Sequence, residues 1–209
     1  MEADWSRGER DLEAPIADLN YGIGDRLQVT YEVPYVWMHE DGDDDEAAAS
    51  ANGVGDSTLG LKYRFYDNEE RGLSFALYPQ LRVRTPGANR EVSEGGTSVS
   101  LPLLMVSEFE HFSITADAGV EVSDEERRWF AGAGLGWRLD ERTALMAELA
   151  GEDLNSPERR WQVGFGLRHK LHEGRSLSAS LGRDVEAGDG EGLHNHFALA
   201  YSMEFGGKD

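Results

Sequence analysis

Apolar and polar residues alternate along positions 27–37, which read Leu-Gln-Val-Thr-Tyr-Glu-Val-Pro-Tyr-Val-Trp. Every odd-numbered position is apolar or aromatic, and the even-numbered positions include Gln28, Thr30 and Glu32. Because successive side chains of a β-strand point to opposite faces, this segment has one apolar face and one mostly polar face. The pattern recurs along the chain and predicts an all-β fold.

The recurring alternation predicts strands of a length that suits a membrane. Most have 9 to 13 residues, and about 9–11 tilted residues cross the hydrocarbon layer of a bilayer. No apolar stretch approaches the ~18 residues that indicate a transmembrane helix. The predicted strands are 12–22, 26–38, 57–66, 73–84, 97–109, 112–122, 128–139, 143–151, 160–171, 176–185 and 195–205.

The connections between these strands alternate in length. Those at 22–25, 67–72, 110–111, 140–142 and 172–175 are short, whereas those at 39–56, 85–96, 123–127, 152–159 and 186–194 are mostly longer. Outer-membrane barrels combine short periplasmic turns with longer outer loops. The sequence therefore predicts an antiparallel up-and-down transmembrane β-barrel.

Eleven strands conflict with the even numbers that single-chain bacterial barrels use. With the C-terminus on the short-turn side, a strand is missing before strand 12–22. Residues 1–11 (with Trp5) form an N-terminal arm or a remnant strand, or the sequence begins late, or the count is wrong. We favour a twelve-stranded parent barrel in which residues 1–209 form a single barrel domain.

The apolar faces carry many bulky side chains, which would crowd the inside of a small barrel. In strand 57–66, for example, Leu59 and Leu61 share one face and Lys62 lies on the other. Aromatic residues also collect at both strand ends, as expected where rings meet lipid headgroups. We predict that the apolar face contacts lipid; a soluble sandwich or lipocalin-like barrel, with that face inside, is the alternative. The predicted interface aromatics are Tyr21, Tyr35, Trp37, Phe65, Phe109, Phe112, Trp129, Trp137, Trp161 and Phe205.

The opposite faces predict a lumen lined by charges of both signs. One interpretation is a hydrated interior held together by salt bridges, since charges at membrane depth pair or meet water. The other is a polar pathway that selects solutes, although the near-balance of charge argues against strong anion or cation selectivity. Repeated glycines on this face, such as Gly132, Gly134 and Gly136, suggest tight curvature or free space. The predicted lumen-lining residues are Glu32, Lys62, Arg64, Arg82, Asp117, Arg138, Glu148, Arg168, Lys170 and Glu204.

Composition narrows the function. The formal net charge of -20, from 40 acidic and 20 basic residues, argues against nucleic-acid binding, which relies on basic side chains. The acidic run 40–46 is predicted to be a solvated loop; it lacks the glycine that an EF-hand needs at its sixth position, and divalent-ion binding stays open. Cysteine is absent. No phosphate loop, zinc motif or nucleophile elbow is present, so we expect no enzyme, no cofactor and no metal site.

The N-terminus reads Met1-Glu2-Ala3-Asp4, without the basic start and apolar segment of a signal peptide. A protein of the bacterial outer membrane needs an export signal. We therefore expect a mature or recombinant form from which the export segment is missing.

Several motifs in the first half of the chain resemble a known family. Residues 19–27 read Leu-x-Tyr-Gly-x-x-Asp-Arg-Leu, and Glu32-Val33-Pro34 follows. Gly55-Asp56 then precedes the Gly-x-Lys-Tyr-Arg-Phe strand at 60–65. The match is best over residues 12–110. It resembles the bacterial outer-membrane family named for the meta-pathway of phenol degradation, whose members are often labelled transporters. The resemblance implies an outer-membrane barrel with passage of small, aromatic compounds, and it supplies no catalytic residues.

These observations lead to three hypotheses of function. The first is an outer-membrane barrel that allows passive passage of small solutes, aromatic ones among them, through a polar lumen. The second is a non-transporting structural barrel with a salt-bridged, closed lumen and acidic surface loops. The third is a soluble ligand-binding barrel. The expected partners are outer-membrane lipid, lipopolysaccharide and a small-molecule solute; a monomer is favoured, and the oligomeric state stays open.

Overall fold

The strands of this chain form one continuous antiparallel sheet. A computed structural model describes residues 1–6, 9–41, 48–93, 96–124, 126–157, 159–186 and 193–204. The described strands are β1 (Glu2–Trp5), β2 (Glu9–Ile23), β3 (Leu27–Glu40), β4 (Ala49–Val54), β5 (Ser57–Asn68), β6 (Leu73–Leu77), β7 (Gln80–Val83), β8 (Thr97–Ser100), β9 (Leu103–Glu108), β10 (Phe112–Ser123), β11 (Arg127–Arg138), β12 (Thr143–Glu152), β13 (Arg160–His172), β14 (Arg175–Glu186) and β15 (Asn195–Met203).

The sheet closes on itself as a barrel with twelve positions around its wall. The strand pairs β4 and β5, β6 and β7, and β8 and β9 each occupy one position, because a short break divides a single wall strand in two. Strand β1 pairs with β2 on one side and with β15 on the other, which closes the circle. The fold class predicted from the sequence is therefore confirmed as a closed antiparallel barrel.

The count of eleven strands is wrong, and the missing strand is β1. Its residues Glu2–Trp5 pair with Ala198–Asn195 of β15 and with Glu13–Arg10 of β2. Hydrogen bonds between Met1 and Leu199 extend the first pairing, at 3.0 Å and 2.8 Å. Four residues are too few for an alternating pattern to be recognised, so residues 1–11 could be offered only as one possible source of the missing strand. The preference for twelve strands is confirmed.

Proline and glycine divide three of the wall strands. Proline has no backbone N–H to donate and therefore interrupts a ladder of hydrogen bonds. The breaks fall at 55–56, at Tyr78–Pro79 and at Leu101–Pro102, so the predicted strands 73–84 and 97–109 are each split. The neighbouring backbone still bonds across the breaks, since the Tyr78 N–H donates to the Pro102 carbonyl at 3.0 Å. The wall therefore stays continuous.

Tight turns join the strands at one end of the barrel. In the turn between β11 and β12, the Asp140 carboxylate accepts the backbone N–H groups of Arg142 at 2.7 Å and Thr143 at 2.8 Å. These bonds, the one from Arg142 foremost, lower the pKa of Asp140. A single 3₁₀ turn, Glu69–Arg71, joins β5 to β6. Among the described residues no helix has the length and apolar character to cross a membrane.

Large apolar side chains cover the exposed face of the wall. Phe165 on β13 is 68% exposed and Leu181 on β14 is 61% exposed, and many similar residues follow them around the barrel. The buried apolar residues in the described part of the chain are few and comprise Val36, Ala76 and Val92. An interior of apolar side chains is therefore absent there, in agreement with an apolar face that points outward.

The orientation of the wall predicts that an introduced charge destabilises the barrel at one residue of β14 and is tolerated at its neighbour. We expect Leu181→Arg to destabilise the barrel in phospholipid vesicles by about 2–4 kcal/mol, because a charge on the lipid face near the membrane midplane is costly. The free energy of unfolding in vesicles, measured by denaturant titration, tests this expectation.

The matched control is Ser180→Arg, the same change one residue earlier on the opposite face of β14. Ser180 lies on the polar face of β14 together with Gly182 and Asp184, so the longer side chain meets water there. Equal losses for the two variants, or a larger loss for Ser180→Arg, would contradict the outward orientation of Leu181.

Candidate functional site

Polar cavities follow the inner face of the wall, and they bring together most of the predicted lumen residues. Glu32 and Arg82 line a cavity of about 290 Å³, and Glu148 lines one of about 530 Å³. Arg168, Lys170 and Glu204 line a cavity of about 670 Å³ near the turns. Lys62 and Arg64 line another of about 290 Å³.

The remaining two predicted lumen residues lie against the wall. The Arg138 Nη1 donates to the backbone carbonyl of Glu110 at 3.1 Å, which ties β11 to the adjacent turn. The Asp117 carboxylate lies over Gly132 of the neighbouring strand, and these two residues are register partners. Both residues belong to the polar face of their strands.

Charges of opposite sign separate along the barrel axis. The register places Lys62, Arg64, Arg138, Arg168 and Lys170 close to the short turns, together with the acids Glu108 and Glu204. The rest of the inner face is predominantly acidic, with Arg82, Arg128 and Arg160 as its basic members. The near-balance of inner charges in the sequence therefore hides two zones, a basic zone near the short turns and an acidic zone along the rest of the inner face. The acidic zone includes Glu2, Asp4, Asp11, Asp18, Glu32, Asp117, Glu121, Glu148, Glu152 and Asp184.

Ion pairs in the acidic zone run around the wall. Glu121 on β10 contacts Arg82 of β7 at 3.9 Å through one oxygen and Arg128 of β11 at 3.6 Å through the other. These strands are neighbours or near-neighbours in the sheet. The Glu121 charge is therefore compensated from both sides by side chains on the same part of the wall.

A second cluster lies where the barrel closes. The Asp184 side chain is fully buried, and its carboxylate accepts the His194 backbone N–H and the His196 Nε2, each at 2.9 Å. The Arg160 Nε lies 3.6 Å from the same carboxylate. The other ring nitrogen of His196 contacts Asp4 of β1. Since both ring nitrogens face carboxylates, both donate, which is the protonated form of histidine. The cluster thus joins β1, β14 and β15.

This cluster was not predicted. His194 and His196 stand two residues apart in the sequence, and this spacing alone is weak evidence for a site. Their contacts depend on the register between β14 and β15, where His196 is paired with Gly182, two residues from Asp184. A signal in the sequence was the occurrence of histidine and aspartate on the polar faces of the first and last strands.

Glycines on the inner face make room for side chains of the adjacent strand. A Cβ at Gly132 would lie 2.7 Å from Asp117 Oδ1, one at Gly134 2.5 Å from Thr115 Oγ1, and one at Gly136 2.6 Å from the Ser113 hydroxyl. The polar side chains of β10 therefore lie flat over β11. This contact explains the glycine repeat by local packing, where the sequence suggested curvature or empty space.

The predicted interface aromatics form contacts near both ends of the wall. Tyr35 and Trp37 lie with ring centroids 4.5 Å apart on the loop side, where Trp129 and Trp161 also lie. Phe109 and Phe112 stack at 4.3 Å on the turn side, and Phe112 stacks on Trp137 at 6.4 Å. Exposed rings at the turn side also include Tyr21 and Phe65. Phe205 and residues 42–46 of the acidic loop lie outside the described residues.

A family model covers most of the chain. Residues 3–195 match the family described as "Putative MetA-pathway of phenol degradation". The chain belongs to this family. The resemblance noted in the turn at 19–27 and in the strand at 60–65 is therefore confirmed and extends far beyond residue 110.

Solved structures of porins and channels share the fold of this family member. A KdgM porin in complex with oligogalacturonate matches with a TM-score of 0.67 at 8% identity, covering 98% of this chain and 97% of that one. The NanC porin matches with a TM-score of 0.65 at 8% identity, covering 98% of both chains. The toluene transporter TodX of P. putida matches with a TM-score of 0.55 at 13% identity, covering 96% of this chain and 70% of that one. No curated protein sequence matches the chain.

The closing cluster predicts a stability effect for His196. We expect His196→Ala to lower the free energy of unfolding by about 1–3 kcal/mol, because the buried Asp184 carboxylate loses a donor. Denaturant unfolding followed by tryptophan fluorescence measures the change.

His172→Ala is the matched control, since His172 is exposed at the turn end of β13. An unchanged midpoint is expected for that variant. A His196→Ala barrel as stable as the His172→Ala barrel would show that the cluster does not hold the closure together.

Proposed function

We propose that this protein is an outer-membrane channel through which small solutes, aromatic ones among them, diffuse along a polar lumen. The observation that carries the proposal is the arrangement of the inner charges. Ion pairs such as Glu121 with Arg82 and Arg128 join strands along the wall and leave polar cavities of hundreds of Å³ beside them. A wall built in this way offers water and solutes a continuous polar surface.

The outer face supports the membrane part of the proposal. Exposed apolar side chains such as Phe165 and Leu181 would be unfavourable in water but suit the hydrocarbon layer. Aromatic rings at both ends of the wall suit the headgroup regions. The surrounding partners are then outer-membrane lipid and lipopolysaccharide.

The solved structures of similar fold do not identify the solute of this channel. TodX is described as a toluene transporter, and the KdgM porin was solved with oligogalacturonate, yet both share less than 25% identity with this chain. At such identity the likeness concerns the fold. The solute depends instead on the side chains that line the lumen of this chain.

The zone of acidic residues favours cations. Fixed charges of one sign along a narrow, low-dielectric passage raise the local concentration of ions of the opposite sign. Asp18 and Glu32 lie side by side in the register of β2 and β3, within this zone. We therefore infer a preference for cations over anions, moderated by the basic zone near the turns.

The competing function is a closed structural barrel whose ion pairs seal the lumen. It requires pairs that reach across the bore. The described pairs instead connect strands that are adjacent or nearly adjacent, as Asp4, His196 and Asp184 do. This arrangement favours the open channel.

Conductance in planar lipid bilayers tests the proposal directly. We expect discrete openings in potassium chloride and a reversal potential under a salt gradient that indicates preferred potassium passage. The double variant Asp18→Asn with Glu32→Gln should shift the reversal potential toward zero, because two carboxylates leave the acidic zone.

The control is Glu70→Gln, which removes one exposed acidic charge in the turn after β5. Its reversal potential should match that of the unmodified barrel. A folded barrel without conductance would refute the channel and support the closed structural barrel.

A further inference from the structure

One of the inner cavities has the size and lining of a binding site. It encloses about 290 Å³ and lies against β2, β3, β5, β7, β8, β10 and β11. Ligand sites in proteins typically enclose roughly 300–1,000 Å³, so this space suits a solute with a single ring. We name it the Phe130 pocket after its one large apolar side chain, and its polar lining includes Asp18, Glu32, Gln80 and Ser100.

The tip of the Phe130 ring lies over a glycine of the neighbouring strand. A Cβ at Gly119 would lie 2.5 Å from the Phe130 Cζ, so the ring occupies the space that a side chain at residue 119 would fill. Phe130 is half-buried, and within the described residues it stacks on no other ring and contacts no cation. Phe130 also lines the cavity, so the part of its ring that faces this space is available to a solute.

Tyr78, the other aromatic side chain in the pocket, already contacts two neighbouring side chains. Its hydroxyl lies 2.9 Å from the Thr30 hydroxyl, and the Lys62 ammonium lies 4.6 Å from its ring centroid. Tyr78 thus completes the wall of the pocket. Phe130 is the aromatic side chain that a solute can use for stacking.

The polar groups of the pocket supply hydrogen-bond acceptors in excess. Glu121 is compensated by two arginines, but Asp18 and Glu32 form no ion pair with any described residue. Asp18 accepts the Asn20 amide at 2.8 Å, which leaves most of its acceptor capacity free. Gln80 accepts the Ser100 hydroxyl at 3.2 Å and keeps its amide donors for another partner.

This combination selects among chemical classes of solute. The lining holds three acidic side chains, Asp18, Glu32 and Glu121, against one basic side chain, Arg82, so an anion is disfavoured. A hydrocarbon would displace water from Asp18 and Glu32 without replacing the lost hydrogen bonds. An uncharged ring with several hydroxyl groups can donate to the carboxylates while its apolar face covers Phe130.

We propose that the Phe130 pocket binds uncharged, polyhydroxylated rings, such as a hexose or a cyclitol, on their way through the lumen. The proposal rests on the channel function above and adds the class of solute. The ring stacks on Phe130, and its hydroxyl groups donate to Asp18 and Glu32.

Interruptions of the single-channel current test the site. Millimolar D-glucose and myo-inositol should each produce transient blocks of the potassium current, whereas D-glucuronate and toluene should produce few. Phe130→Ala should shorten the blocks by roughly threefold to tenfold, the effect expected for losing one aromatic contact.

A variant of the polar lining and a control variant complete the test. Glu32→Gln should increase the frequency of blocks by D-glucuronate. Phe165→Ala, the same truncation on the lipid face, is the matched control and should leave the blocks unchanged.

The outcomes distinguish the two proposals. A conducting barrel with no blocks by glucose or inositol, or with equal blocks in Phe130→Ala and Phe165→Ala, overturns the binding site and leaves the channel intact. A folded barrel that does not conduct overturns the channel. In that case titration calorimetry of the solubilised barrel with glucose decides the site: heat that Phe130→Ala abolishes supports it, and no heat overturns it.

Discussion

Closure of the backbone hydrogen-bond ladder is the constraint on which this barrel depends. In a bilayer core every N–H and C=O group needs a partner within the protein, so an open sheet edge is excluded. Here the last edge is sealed by β1, a strand of four residues, through its ladder to β15. So short a ladder offers few backbone bonds, and the side-chain cluster of Asp4, His196 and Asp184 adds contacts at that seam. The chain thus adds a polar side-chain network at the seam that its shortest wall strand closes.

Closure also determines what the lumen can be. Once the apolar faces point outward, the alternation obliges the polar faces to share the interior. Their charges must pair or meet water, and the pairs formed by Glu121 with its two arginines stay on adjoining parts of the wall. Glycines such as Gly132 and Gly134 let the Asp117 and Thr115 side chains lie flat. The ion pairs and the glycines both keep side chains close to the wall and preserve space along the axis.

The sequence was informative where a pattern repeats and uninformative where a contact depends on register. The long strands and the outward orientation of residues such as Leu181 follow from alternation with period two, and the loop lengths follow from where those strands end. Strand β1 was only one of several explanations for the missing strand, because four residues hold only two repeats of that period. The bonds of Asp184 to His194 and His196 could not be predicted, since a shift of one residue between β14 and β15 would turn these side chains to the other face. The position of Phe130 could not be predicted either, because its ring lies over Gly119, which belongs to a neighbouring strand.

The separation of charge along the axis has a consequence for any solute that interacts with the wall. A channel needs sites that are favourable enough to enter but weak enough to leave. Strong ionic sites would retain a charged solute, and in this lumen the two zones attract ions of opposite sign, so an ion attracted by one is repelled by the other. An uncharged solute experiences neither effect and responds chiefly to hydrogen bonds and to the Phe130 ring. A single modest aromatic contact, placed beside acceptors that water also satisfies, gives the brief binding that passage requires.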